Sequence, residues 1–170
     1  MKDTASSILV MGVSGSGKSH IGRRLAETLD ATFIDADDHH SPANIAKMAR
    51  GEPLNDEDRA TWLATLSGFY RDYRAQGQPL VIGCSALKRR YRDILRQGAP
   101  DLAILYLDGS RGVLLERLDT RGDHFFAGAD MLDNQLATLE PPGDDEAIRL
   151  DIRKSPQDIV DEFLAITTGN

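Results

Sequence analysis

The order of apolar runs along the chain predicts an α/β fold, an open doubly wound sheet of parallel strands with helices on both faces. Three observations carry that prediction. A glycine-rich stretch, Gly12-Val13-Ser14-Gly15-Ser16-Gly17-Lys18-Ser19, joins an apolar run to an amphipathic segment. Apolar runs of strand length recur at 8–11, 32–35, 80–83, 102–107 and 147–152. Segments of helical periodicity fill the intervals between them.

Each element has a local reason. Ile21, Leu25, Ala26 and Leu29 keep helical spacing and predict a helix over 18–29. Ser41-Pro42 reads as an N-cap followed by proline at the first helical position, opening a short helix that carries Ile45, Met48 and Ala49 and stops at Gly51. Asp56 is the expected cap of the next helix, which runs to about residue 76. Its inward stripe is Trp62, Leu63, Leu66, Phe69, Tyr70 and Tyr73. A basic helix is expected over 87–97 and another over 112–121. A charge- and glycine-rich stretch follows, then a helix over 130–139 that Glu140-Pro141-Pro142-Gly143 breaks. Ser155-Pro156 repeats the cap-plus-proline signal and opens the last helix, to about 166.

The 170 residues suit one domain, 1–170, with room for a full core. Twenty basic residues against 27 acidic give a net charge of −7, which argues against nucleic acid and anionic membrane as partners. Cys84 is the lone cysteine, so no intramolecular disulfide forms, and it reads as a small buried residue at a strand end. The first seven residues are short and polar, unlike a signal peptide, and no apolar run approaches membrane-spanning length. A cytoplasmic protein is expected.

Ligands of such folds sit beyond the C-terminal ends of the strands, so the residues after each strand decide the chemistry. After the first comes the pattern G-x-x-x-x-G-K-[ST], whose glycines let backbone N–H groups turn inward around a phosphate chain. Lys18 is placed for the β- and γ-phosphates, Ser19 for Mg²⁺, and the helix that follows adds its positive end. After the second comes Asp35-Ala36-Asp37-Asp38-His39-His40. On an extended chain Asp35 and Asp37 share a face. Asp35 is the candidate to hold Mg²⁺ through water, and Asp37 to hold and deprotonate an acceptor hydroxyl. After the third come Cys84, Ser85 and a basic helix start from Lys88 to Arg92. Positive charge there opposes the helix dipole unless an anion lies near, which points to an anionic substrate group. Arg89, Arg90 and Arg92 fit a solvated face better than Lys88 does. After the fourth, Asp108 reads as a helix-start residue beside Ser110. Arg117 and Arg121 then share a helical face at the start of a candidate lid, about 117–135, that would exclude water from the transfer. Arg153 and Pro156, after the fifth, are placed to edge the nucleotide base.

At this level of detail the chain resembles the gluconokinases, the small phosphate-loop kinases related to shikimate kinase. The stretches that carry the resemblance run through the chain in order. They are the phosphate loop with Met11, Asp35 to His40, Asn44 with Lys47-Met48, Gly51 to Arg59, Cys84 to Asp93, His124-Phe125, and Gln135 to Pro142. Cys84-Ser85-Ala86-Leu87-Lys88 and Thr138-Leu139-Glu140-Pro141-Pro142 are the most specific of them. The resemblance implies transfer of phosphate from ATP to the 6-hydroxyl of D-gluconate. It also implies Mg²⁺, a homodimer, and a three-layer nucleoside-monophosphate-kinase-like fold with strand order 2-3-1-4-5. It implies roles as well: Asp37 on the acceptor hydroxyl; His40, Arg59, Ser85 and Lys88 on the sugar acid; Arg117 near adenine; Arg121 or His124 from the lid. Four positions depart from the family pattern. His20 stands for threonine and is expected to face outward, Ser41 separates His40 from Pro42, Ala127-Gly128 replaces a proline, and Asn134 replaces a serine. Two other readings stay open, a kinase of another small hydroxy acid or polyol, shikimate-like, and a nucleotide-binding switch. The Asn-Lys-x-Asp guanine signature of such switches is absent from the sequence.

Overall fold

The computed structural model describes residues 6–120 and 125–168. Five strands, β1 (Ser7–Met11), β2 (Thr32–Asp35), β3 (Leu80–Gly83), β4 (Ala103–Asp108) and β5 (Ile148–Asp151), form one sheet in the order β2-β3-β1-β4-β5. Every pairing is parallel, and β1 lies at the centre, Ile8 opposite Val81 on one side and Ala103 on the other. This is the expected strand order.

Alternation along the strands divides the core in two. Ile8, Val10, Val81, Leu105 and Leu107 face one layer of helices, which comprises α1 (Lys18–Leu29), α5 (Arg111–Thr120), α6 (Phe125–Thr138) and α7 (Pro156–Thr167). Leu9, Met11, Leu80, Ile82, Ile104 and Tyr106 face the other, built from α3 (Asp56–Ala75) and α4 (Arg89–Gly98). Both faces of a central strand are therefore apolar, as parallel sheets require. The buried Tyr70 hydroxyl donates to the Ile8 carbonyl at 2.6 Å, tying α3 to the central strand.

α1, β2 and β3 have the bounds that periodicity predicts. Others differ for local reasons. Asn55, not Asp56, caps α3. Its side chain accepts from the Asp58 N–H at 2.8 Å while the Asp58 carboxylate accepts from the Asn55 N–H, a reciprocal capping box. The basic helix begins at Arg89 rather than 87, because Lys88 is extended, with φ −105° and ψ 147°, and stands as its N-cap. α6 starts at Phe125, earlier than the expected 130. A short 3-10 turn, Ala36–His39, replaces extended chain after β2. The Trp62 indole N–H holds it by donating to the Ala36 carbonyl at 2.8 Å.

α2 (Pro42–Ala49) has the expected Ser41 cap, whose hydroxyl accepts from the Asn44 N–H at 3.1 Å. It leaves Ile45 and Met48 exposed and attaches to α3 through polar groups. Asn44 donates to the Asp58 carbonyl at 3.1 Å and Lys47 pairs with the Asp58 carboxylate at 2.7 Å. Among the described residues no helix is long and apolar enough to cross a membrane.

Candidate active site

A cavity of about 1080 Å³ opens where β1, β2 and β3 end. Its floor is the turn between β1 and α1. Gly15 and Gly17 hold φ of 86° and 94°, which residues with a Cβ rarely adopt, so the turn is tight enough to aim its amides inward. Ser14, Gly15, Gly17, Lys18 and Ser19 line the cavity. Gly12, Val13 and Ser16 form the buried side of the same turn. A Cβ at Gly12 would stand 2.6 Å from Ser16 Oγ, and that hydroxyl is buried without a hydrogen-bond partner. The Lys18 ammonium donates to the Val13 carbonyl at 3.2 Å.

The acidic wall follows β2. Asp35 ties both neighbours, since Oδ2 accepts from Ser19 Oγ at 3.0 Å and Oδ1 from the Asp37 N–H at 3.0 Å. The chain turns at Ala36, so Asp37 is not brought beside Asp35 by strand alternation as expected. The 3-10 turn does it instead, and both line the cavity. The Asp37 side chain is 85% exposed. A serine hydroxyl and a carboxylate in contact are a hard-oxygen pair that suits Mg²⁺, and the glycine cradle suits phosphate. Among the described residues no group of three or more His, Cys, Asp or Glu is arranged to hold a metal alone.

Ser85, Arg117 and Pro156 also line the cavity, as expected. The Arg117 guanidinium donates to the Ile152 carbonyl at 2.5 Å and reaches the Ser16 carbonyl at 3.5 Å, bridging α5, the loop and the end of β5. Cys84 is buried, and burial pushes its thiol up to about 12, so it stays an inert thiol at neutral pH.

His40, Arg59, Lys88 and Arg153 are not among the lining residues. His40 stacks on Trp62 with ring centres 4.2 Å apart and sets Nε2 3.9 Å from the Asp37 carboxylate. Burial lowers its pKa, the Asp37 charge works against this, and Arg59 adds to it. Arg59 donates to the Leu54 carbonyl at 2.9 Å and lies 5.9 Å from the Tyr91 ring centre. Lys88 lies 5.6 Å from the same ring and 3.4 Å from Asp56. The two cations thus gather on Tyr91, an aromatic that sequence reading did not single out. Arg153 folds onto Asp151 at 2.6 Å and edges a smaller cavity of about 320 Å³ with Asp108 and Ser110. Arg121 and His124 lie outside the described residues.

The basic helix start is neutralised from within the protein. Asp56 receives Lys88, Arg90 and the Tyr91 hydroxyl, and these hold its carboxyl below the usual range, the Tyr91 hydrogen bond foremost. The Arg89 N–H donates to the Glu140 carboxylate at 3.0 Å. Arg92, expected on a solvated face, is instead buried against Glu146. No substrate anion is needed to explain these charges.

Sequence reading missed Gln135, Glu116 and His20, all of which line the cavity. His20, expected to face outward, is exposed yet edges the opening. The Gln135 side chain accepts from the Ser14 N–H at 2.7 Å, across 121 residues. Its one sequence signal was its place in the stretch from 135 to 142.

A family model described as an AAA domain matches residues 8–142. A gluconokinase from Gluconobacter oxydans (strain 621H) is 44% identical over 158 residues, which is 92% of this chain and 88% of that protein. The chain belongs to the AAA-domain and gluconokinase families. The thermoresistant gluconokinase of Escherichia coli (strain K12) is 47% identical over 138 residues, 81% of this chain and 78% of its own. Among solved structures, a gluconokinase from Sinorhizobium meliloti 1021 superposes with a TM-score of 0.82 at 46% identity, covering 94% of this chain and 90% of that one. A shikimate kinase from Aquifex aeolicus, with a TM-score of 0.57 at 19% identity, shares the fold. Gluconokinase family membership thus rests on likeness along most of the chain rather than on the phosphate loop alone.

Proposed function

We propose that this protein transfers the terminal phosphoryl group of ATP to the 6-hydroxyl of D-gluconate, giving 6-phospho-D-gluconate and ADP. The observation that carries this reading is the meeting of the phosphate loop and Asp37 in one cavity, in a chain 42–47% identical to three bacterial gluconokinases. Amides of residues 12–19 grip the phosphate chain, and Lys18 offsets charge on its terminal group. Asp37 orients the acceptor hydroxyl and takes its proton as the new O–P bond forms and the bond to the β-phosphate oxygen breaks. Ser19 and Asp35 would hold Mg²⁺, which supplies charge neutralisation between the phosphates when bound.

Arg59 and Lys88 are cations for the carboxylate, with His40 and Ser85 for its hydroxyls. Arg117, Arg153 and Pro156 serve the adenine side, and Arg121 and His124 act from a lid of about 117–135. On the same reading the whole chain is one domain and works as a cytoplasmic homodimer. The acidic charge, the lone cysteine and the family resemblance support this.

ADP release with gluconate, shikimate, glucose and no acceptor tests the reading. Turnover that needs gluconate supports it. Turnover with shikimate alone, or without any acceptor, overturns it.

A further inference from the structure

Gln135 stands in the last turn of α6 and shares the cavity with Lys18, Ser19 and Asp37. Its contact with the loop fixes its orientation. A backbone N–H only donates, so the atom 2.7 Å from Ser14 N is the carbonyl oxygen, and the amide nitrogen is the other end. That nitrogen carries two N–H donors and has no protein partner among the described residues.

The group it holds is informative. The carbonyl of Val13 and the N–H of Ser14 belong to one peptide unit. Lys18 Nζ donates to its oxygen at 3.2 Å, and Gln135 accepts from its nitrogen at 2.7 Å. One peptide is therefore gripped from both ends, and one of the grips is the lysine that serves the β- and γ-phosphates. Gln135 and Lys18 thus hold the same peptide from opposite sides and line the same cavity.

The helix behind it is anchored. Leu132 is fully buried, the Glu140 N–H donates to the Leu87 carbonyl at 2.7 Å, and Arg92 donates to the Glu140 carbonyl at 2.9 Å. A donor on such a support meets developing charge without reorganising.

We propose that Gln135 is a ligand of the terminal phosphoryl group, its oxygen fixing the Val13–Ser14 peptide and its nitrogen donating to a γ-phosphate oxygen. This rests on the phosphotransfer reading above, and it predicts that Gln135 separates ATP from ADP.

The test uses Gln135→Glu, which keeps an acceptor for Ser14 but removes the donors, and Gln135→Met, which removes both without adding charge. Affinities for ADP and for a non-hydrolysable ATP analogue are measured by calorimetry without acceptor, so failure on gluconate as substrate would not affect the readout. Loss of a hydrogen bond to a charged group predicts analogue binding weakened about ten- to a hundred-fold in both variants. ADP binding should stay within about threefold, which also reports that the variants fold. An equal loss for both nucleotides would reduce Gln135 to shaping the loop and overturn the proposal, as would no loss for either.

Discussion

Arg92 and Glu146 form an ion pair inside the protein, Nε to Oε2 at 2.7 Å, with side chains only 1% and 3% exposed. The remaining guanidinium nitrogens donate to the Ala86 and Glu140 carbonyls, and Arg96 joins Glu146 from the next helical turn. Burial acts to raise the Glu146 pKa, but hydrogen bonds from Arg92 and Arg96 outweigh it and leave the carboxyl below its usual range. This cluster ties the loop that carries Ser85 to the chain leaving α6. Glu146→Gln strands a buried positive charge and should cost about 3–5 kcal/mol. For a chain of this size that is a fall in melting temperature of roughly 6–20 °C. Arg92→Met combined with Glu146→Leu should cost less than Glu146→Gln alone, and calorimetric melts of the three proteins check the order.

Two glycines in the α3–α4 layer should respond in opposite directions to alanine. A Cβ at Gly98 would stand 2.0 Å from the Ser67 carbonyl oxygen, a backbone atom that cannot rotate away. Gly98→Ala should therefore cost about 1–3 kcal/mol or more. Gly68 lies inside α3 with nothing within 4 Å of an added Cβ. Gly68→Ala should gain about 0.5–1 kcal/mol. Urea midpoints moving the same way in both variants would contradict this packing.

His40 gives the fold an acid-side weakness. Its folded-state pKa lies below the ordinary 6.5 because the ring is buried against Trp62. Below 6.5 the unfolded chain therefore binds the extra proton, and stability falls as pH falls through that window. His40→Gln removes the group. The stability gap between parent and variant should shift in favour of the variant from about pH 7.5 to about pH 5. A gap that stays constant over that range would show that the ring protonates freely in the folded state.

What the sequence conveyed well was local. Spacing placed α1, β2 and β3 to the residue, Ser41 and Ser155 announced their helices, and the glycine pattern announced the cradle. What it did not convey was which distant charges meet. Arg92 pairs with a residue 54 positions away, Lys88 with one 32 away, and Gln135 with one 121 away. No short-range pattern records such pairings, so Arg92 looked solvated and Gln135 carried no role. Asp56 was legible as a helix-start residue but not as the carboxylate that receives three groups of α4 and its cap. Its neighbour Asn55 took the cap because its amide oxygen pairs reciprocally with Asp58.

Phosphotransfer here requires Asp37 to act on the alcohol while the loop acts on the phosphates. Its carboxylate is exposed at the cavity, while its backbone N–H, which Asn keeps, donates to Asp35. Turnover of Asp37→Asn with ATP and gluconate, beside its affinity for ADP, is the most direct measurement. The predicted result is turnover lowered about 10²- to 10⁴-fold with ADP affinity within about threefold of the parent. Turnover near the parent value would contradict it.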